Sequence, residues 1–253
     1  MQYGGIEVWT ARPDKVGAAA CNQLARLLDA QERERADGFR FDADRQAFVL
    51  AHALRRLALA SMVGADPSEL QFGAGAHGQP LLLGVEGQMP AFSLTRSRGL
   101  VACAVSPNGP LGIDVETVRP GVAPSLLETF VAPPPLDIFD AGPDVFMQWT
   151  ALEAFWKARG TGLSTSQPRI GLRDLGGQDC YEIVDGDSGG STGMVVMRLP
   201  SPGTHVLALA CAEVETVQII DFERLAPRPE GDGFPTCNDD AREEAAASGG
   251  VGH

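Results

Sequence analysis

QAFVLAHALRRLALAS, Gln46 to Ser61, sets Phe48, Leu50, Ala51, Leu54 and Leu57 at helical spacing, and the ionic run QERERADGFRFDADR, Gln31 to Arg45, leads into it. This pattern predicts a long, half-buried helix with an arginine-rich entrance. Upstream, IEVWTA has the Ile, Val and Trp content of a strand, and Ala18 to Ala30 reads as a helix with Leu24, Leu27 and Leu28 on one side. Downstream, from Leu70 to Glu116, the short runs LQF, PLLL, AFSLT, LVACAV and LGIDVE alternate with Gly, Pro and Asn turns, the signature of a meander. Helical patterns return at Ser125 to Phe130 and Val145 to Arg159, followed by the strand-like runs CYEIV, MVVMRL, HVLALAC and VQIID. Helix followed by strands therefore occurs twice. The expected fold class is α+β, with two similar halves meeting near residue 118: residues 1–117, residues 118–226, and a tail, 227–253. That tail carries six acids against two arginines in a Gly/Ala/Ser-rich background, too little apolar surface to offset the entropy of ordering it.

The bulk composition narrows the function classes. The chain has 253 residues, 44% of them apolar, enough for a packed core. With 20 Lys and Arg against 33 Asp and Glu, its formal charge of -13 argues against a nucleic-acid binder. No stretch approaches the roughly 18 unbroken apolar residues of a membrane span. The start, MQYGGIEVWTARPDK, lacks the basic-then-apolar order of a signal peptide, so a cytoplasmic chain is expected. Five widely spaced cysteines without a C-x-x-C fit reduced thiols.

Two motifs mislead. GAGAHG, Gly73 to Gly78, has the form G-x-G-x-x-G, but Gln79-Pro80 and a short Leu run follow where a dinucleotide site needs a helix. GDSGG, Gly186 to Gly190, matches a protease nucleophile motif, yet it sits in the polar run DGDSGGSTG between two strands and reads as a hairpin loop.

Chemistry concentrates in two other places. In a strand over LGIDVE, Asp114 and Glu116 project to one side while Ile113 and Val115 pack on the other. Two such carboxylates repel unless a proton or cation lies between them, and a hard divalent ion suits an all-oxygen donor set. In WTALEAFWKARGTGL, Trp149 to Leu163, Glu153 and Lys157 lie on one helical face at i, i+4, and Gly160 ends the helix. Taken singly, a solvated strand edge and a surface ion pair would account for both.

Taken in order, F-S-L-T-R-S (Phe92 to Ser97), G-I-D-V-E (Gly112 to Glu116) and W-x-x-L-E-A-x-x-K-A-x-G-x-G-L (Trp149 to Leu163) resemble the 4′-phosphopantetheinyl transferase superfamily, of the monomeric, surfactin-synthetase-activating type. Arg35, Phe39, Phe41, Asp44-Arg45, the run Ala51 to Leu57 and His77-Gly78-Gln79-Pro80 agree with its N-terminal half. The resemblance implies two α+β halves in pseudo-twofold arrangement with the active site in the cleft between them. It implies Mg²⁺ on Asp114, Glu116 and Glu153, with Lys157 on phosphate oxygens. Arg35 and Arg45 would hold the 3′-phosphate of coenzyme A, Gly78, Gln79 and Pro80 the adenine side, and Thr95 and Arg96 the phosphates. The implied reaction moves phosphopantetheine to a serine of an apo acyl or peptidyl carrier protein, with Glu153 the favoured base, in a monomer. Departures exist: Thr95-Arg96 stands for the usual S-H, Leu152 for a lysine, Gln79 for the lysine of G-K-P, and Phe130 to Pro135 reads F-V-A-P-P-P where an acidic segment is usual. They leave a second reading, a homologue that binds coenzyme A or a carrier with transfer lost or altered.

Overall fold

The computed structural model describes residues 5–85, 87–119, 145–163, 167–176, 179–213 and 216–225. The expected helix at Ser125 to Phe130, the Phe130 to Pro135 segment and the tail 227–253 lie outside the described residues. Strand β1 (Ile6–Ala11) is followed by α1 (Ala18–Leu24), α2 (Ala30–Asp37) and the 22-residue α3 (Asp42–Val63). Then come β2 (Gln71–Ala74), β3 (Pro80–Leu83), β4 (Ala91–Ser97), β5 (Leu100–Ser106) and β6 (Leu111–Thr117). The remainder is α4 (Val145–Ala158), β7 (Ile170–Asp174), β8 (Cys180–Asp185), β9 (Ser191–Leu199), β10 (His205–Cys211), β11 (Val217–Asp221) and α5 (Phe222–Leu225).

The α+β class is as expected, but the strands do not form one meander per half. A first sheet has the order β11-β1-β5-β4, a second β6-β10-β9-β8-β7, and β2-β3 is a separate hairpin. Strand β6 thus leaves the strands that precede it and pairs antiparallel with β10, while β11 returns to lie parallel to β1. Local alternation could predict each strand, but pairing partners are chosen by long-range burial, which no short window contains. Strand β7 was not anticipated at all. The expected helix from Ala18 to Ala30 is also interrupted: a 3₁₀ turn follows α1, Leu28 is extended, and Asp29 caps α2. The cause is a capping box, in which the Asp29 side chain accepts from the Glu32 amide at 2.8 Å and Glu32 accepts from the Asp29 amide at 3.0 Å.

Ile6, Val8, Leu100, Ala102 and Ala104 of the first sheet share one apolar cluster with Ile113, Val115, Leu207 and Leu209 of the second. Opposite faces are covered by helices. Phe48, Leu50, Leu54 and Leu59 of α3 pack with Trp9, Val101 and Cys103, and Met147, Ala151 and Phe155 of α4 pack with Val196, Val206 and Ala208. The motif GDSGG is a loop, as expected: the Ser188 hydroxyl donates to Asp185 at 2.7 Å, and the two form an Asx-type turn between β8 and β9.

A charged network is buried under α3. Arg56, with no exposed surface, donates to Glu32 at 2.9 Å, to Asp29 at 3.0 Å and to the carbonyls of Pro67 and Leu70 at 3.1 and 2.8 Å. Arg55 donates to the other Glu32 oxygen and lies 3.6 Å from the Phe72 ring centroid. Burial by itself would raise the Glu32 carboxyl, but hydrogen bonds from His52 and the Asp29 amide and the charges of Arg55 and Arg56 bring it down to about 2. Replacing Glu32 by Gln strands two buried guanidiniums and should cost about 3 kcal/mol in a chemical denaturation midpoint series. A folded carboxyl below its unfolded value stabilises at higher pH. The Glu32 contribution should therefore be intact above about 4.5, fade as pH falls toward about 2, and be missing from the acid-unfolding profile of the Glu32→Gln variant.

Candidate functional site

Strands β4 and β6 are sheet edges that meet without a backbone ladder. Side-chain hydroxyls of β4 accept the β6 amides instead: Ser93 from Ile113 at 3.1 Å, Thr95 from Val115 at 3.3 Å and Ser97 from Thr117 at 3.1 Å. The S-L-T-R-S alternation puts one hydroxyl at every second residue, matching the spacing of the free amides. Thr95 then donates its own proton to Asp114 Oδ1 at 2.9 Å. Its hydroxyl is thereby committed to β6 on both sides.

The same face of β6 meets α4. Gly112 is required there: a Cβ would sit 2.0 Å from the Ala154 carbonyl oxygen and 2.5 Å from the Ala158 nitrogen. This closeness brings Lys157 Nζ to Asp114 Oδ1 at 2.6 Å and to the Ile113 carbonyl at 3.2 Å. Asp114 is 6% exposed, and its second oxygen, Oδ2, is buried without a partner. Burial and the Asp114 charge both push the Glu116 carboxyl up, against Arg119, a hydrogen bond from Trp149 and Lys157. Glu153 is likewise raised by burial and by Asp114, with Lys157 opposing and Glu116 adding. Asp114, Glu116 and Glu153 therefore repel one another in one half-buried place; strand alternation predicts the first two on one face, and the resemblance implied the third beside them. Among the described residues no three His, Cys, Asp or Glu side chains are gathered closely enough to enclose an ion. The donor chemistry nonetheless fits a hard divalent cation: three carboxylates, one orphaned buried oxygen, and repulsion that only added positive charge relieves.

A cleft of about 360 Å³ opens beside these groups, lined by Arg35, Phe48, His52, Thr95, Arg96, Asp114, Glu116 and Lys157 among others. On its α2 and α3 side the Arg35 and Arg96 guanidiniums lie 5.6 and 5.5 Å from the Phe48 ring centroid, and Arg96 is 5.5 Å from that of Phe39. Burial lowers the Arg96 guanidinium, Arg35 lowers it further, and Asp44 opposes. Among the described residues neither arginine forms an ion pair. The two guanidiniums beside this ring are planar fork-shaped donors, the kind of group that pairs well with phosphate oxygens.

Other expected residues stand apart from this lining. Arg45 reaches Asp37 at 3.3 Å rather than the cleft. Gly78 and Gln79 lie in the turn of the β2-β3 hairpin and Pro80 opens β3; Gly78 has φ +81° and the Gly75 amide bonds the Gln79 carbonyl at 2.7 Å. The Gln79 amide lies beside Gly160, 3.5 Å from where a Cβ on that glycine would sit, so the hairpin touches the end of α4. GAGAHG is thus a hairpin turn without a helix after it, as expected. Sequence reading missed Phe48, His52 and Glu32 as parts of the site. The D-x-x-E spacing at Asp29 to Glu32 was the available signal, since it marks a helix start that turns Glu32 toward α3.

Thr95→Val should leave the Val115 amide without an acceptor and Asp114 with one hydrogen bond fewer, costing about 1–3 kcal/mol in thermal or chemical unfolding, while Thr95→Ser recovers most of it. Gly112→Ala should displace α4, lower the melting temperature more than a surface Gly→Ala change, and weaken the Lys157 contact to Asp114, read from the lysine ammonium signal in NMR.

No family model matches the chain. Three curated proteins do. It is 31% identical over 151 residues to the 4′-phosphopantetheinyl transferase HetI of Nostoc sp., covering 56% of this chain and 63% of that protein. It is 30% identical over 145 residues to a putative 4′-phosphopantetheinyl transferase of Synechocystis sp., covering 54% and 59%. With a 4′-phosphopantetheinyl transferase of Bacillus subtilis it shares 27% over 172 residues, 66% of this chain and 74% of the relative. The chain spans less than two thirds of the length of the first two of these. Over this extent, and in the ordered motifs at Phe92 to Ser97, Gly112 to Glu116 and Trp149 to Leu163, the chain is similar to 4′-phosphopantetheinyl transferases.

Proposed function

We propose that this chain transfers the 4′-phosphopantetheine moiety of coenzyme A to a serine of an apo acyl or peptidyl carrier protein, in a Mg²⁺-dependent reaction that releases 3′,5′-ADP. The observation that carries the reading is one cleft with two kinds of phosphate-directed chemistry. Guanidiniums of Arg35 and Arg96 without counter-ions occupy one side, and the Asp114, Glu116 and Lys157 cluster the other. Coenzyme A carries a phosphomonoester at one place and a pyrophosphate at another, which suits that division.

On this reading Arg35 and Arg96 hold the 3′-phosphate, and Gly78, Gln79 and Pro80 line the adenine side. Arg45 would join Arg35 by exchanging its contact with Asp37 for the phosphate. Asp114, Glu116 and Glu153 would hold the magnesium ion. Bound there, the ion supplies Lewis-acid neutralisation of the pyrophosphate. Lys157 moves positive charge onto the same oxygens, and Thr95 keeps the Asp114 carboxylate in place. The carrier serine oxygen attacks the β-phosphorus, and the bond from that phosphorus to the bridging oxygen of 3′,5′-ADP breaks. Glu153, raised by burial and by its acidic neighbours, is a carboxylate suited to accept the serine proton. The two sheet-and-helix units are read as pseudo-twofold halves that exchange strands across the expected boundary near residue 118, β6 joining the second unit and β11 the first. The protein is read as a cytoplasmic monomer, and its carrier docks on a local apolar or basic patch because the chain as a whole is acidic.

One observation favours a second reading, a homologue that binds coenzyme A or a carrier without transfer: Lys157 already neutralises Asp114 at 2.6 Å. Intact mass of apo carrier domains after incubation with coenzyme A and Mg²⁺ separates the two. The expected result is a gain of one phosphopantetheine group that disappears with chelator and falls at least a hundredfold in rate for Glu116→Ala. Coenzyme A binding without any mass gain, across acyl and peptidyl carriers, would leave only the binding homologue.

A further inference from the structure

His52 has no role in the reaction as derived, yet its surroundings are built for one. It lies one helical turn after Phe48 on α3, with ring centroids 4.0 Å apart and planes at 28°, so the two rings form a stack. Arg35 from α2 and Arg96 from β4 sit over the Phe48 end of that stack. Nδ1 of His52 meets Glu32 Oε1 at 2.9 Å. Glu32 is an ionised acceptor anchored by Arg55, Arg56 and the Asp29 amide, so it fixes the tautomer with the proton on Nδ1. The other ring nitrogen, Nε2, makes no hydrogen bond among the described residues, and His52 lines the cleft.

We propose that His52, oriented by Glu32, is a third contact to the phosphomonoester held by Arg35 and Arg96, and that its imidazole takes up a proton when that group binds. The inference rests on the coenzyme A reading of the cleft. The groups that act on the ring are Glu32 from α2, Arg55 from its own helix and Arg96 from β4. Burial holds the free imidazole below its usual range, the Glu32 hydrogen bond opposes, and Arg55 and Arg96 add to the lowering. A phosphate dianion reverses that balance: it neutralises Arg96 and places an acceptor on Nε2, which then needs a proton to donate. A histidine value raised by the ligand makes binding strongest below the free value, weaker as pH rises toward the bound value, and independent of this ring above it. The second ionisation of the phosphate itself runs the other way and is common to wild type and variant.

The test is calorimetric titration of the full chain with adenosine 3′,5′-bisphosphate and with adenosine 5′-monophosphate, in buffers of different ionisation enthalpy. At pH between the free and the bound histidine values, wild type should take up more protons with the bisphosphate than the His52→Gln variant does, by a fraction approaching one. His52→Gln should lack that increment, showing only the proton exchange of the phosphate itself, and bind the bisphosphate roughly tenfold more weakly, with its affinity for the monophosphate unchanged. Equal proton uptake by the two proteins, or an equal loss for both nucleotides, overturns the role of His52 and leaves the coenzyme A reading standing. A bisphosphate that binds neither protein overturns both. A measurement on wild type alone guards against a variant that misfolds: the NMR titration midpoint of His52 should rise with the bisphosphate, and an unmoved midpoint at saturation sinks the proposal.

Discussion

Strand β6 is an edge whose amides must be satisfied in the interior, and the hydroxyls of β4 satisfy them. On one side β6 pairs with β10 through its backbone, and on the other Ser93, Thr95 and Ser97 accept from Ile113, Val115 and Thr117. Buried amides left unpaired would each cost free energy comparable to a lost hydrogen bond, so the S-x-T-x-S alternation is what permits two sheets to meet at this seam. At the end of the seam, Ser97 and Thr117 share a hydroxyl contact at 2.8 Å, and Thr117 donates to the Arg98 carbonyl at 3.1 Å. His205, the first residue of β10, bridges the carbonyls of Pro202 and Arg98 at 2.9 and 2.8 Å, tying the second sheet to the β4-β5 turn.

The cleft follows from that seam. With β6 held against β4, its Asp114 face looks toward α4, and the missing side chain at Gly112 lets the helix approach until Lys157 touches Asp114. The arginines reach the same cleft by a different route. Arg96 belongs to β4 itself, one residue after Thr95, whereas Arg35 depends on α2 being docked on α3. That docking is ionic: Glu32 is 8% exposed and accepts from Arg55 and Arg56, while Asp29 accepts from Arg56. A buried pair of this kind adds little net stability over an apolar one, but it admits few alternative arrangements. The two sides of the cleft are thus held by a hydroxyl seam and by a buried charge network.

Much of this was legible in the residues. The helical spacing over Gln46 to Ser61 predicted α3, and short runs of strand composition located most strands, because periodicity and turn residues are local properties. The carboxylates of LGIDVE fell on one face for the same reason, and Glu153 and Lys157 shared a helix face by simple spacing. Arg45 illustrates what spacing could not supply: it shares the arginine-rich entrance with Arg35, yet Arg35 of α2 lines the cleft while Arg45 of α3 meets Asp37.

By itself, then, the sequence determined most of the helices and strands and which side each side chain takes along them, and it set Asp114 with Glu116, and Glu153 with Lys157, on common faces. Tertiary structure decided that β6 crosses to the second sheet, that β11 returns to the first, that Glu32 lies buried between two arginines, and that His52 stands behind the two arginines of the cleft. The division has a physical origin. Spacing along a helix or strand is set by backbone geometry and is written in consecutive residues, whereas edge pairing and burial depend on which distant surface leaves the fewest polar groups unpaired.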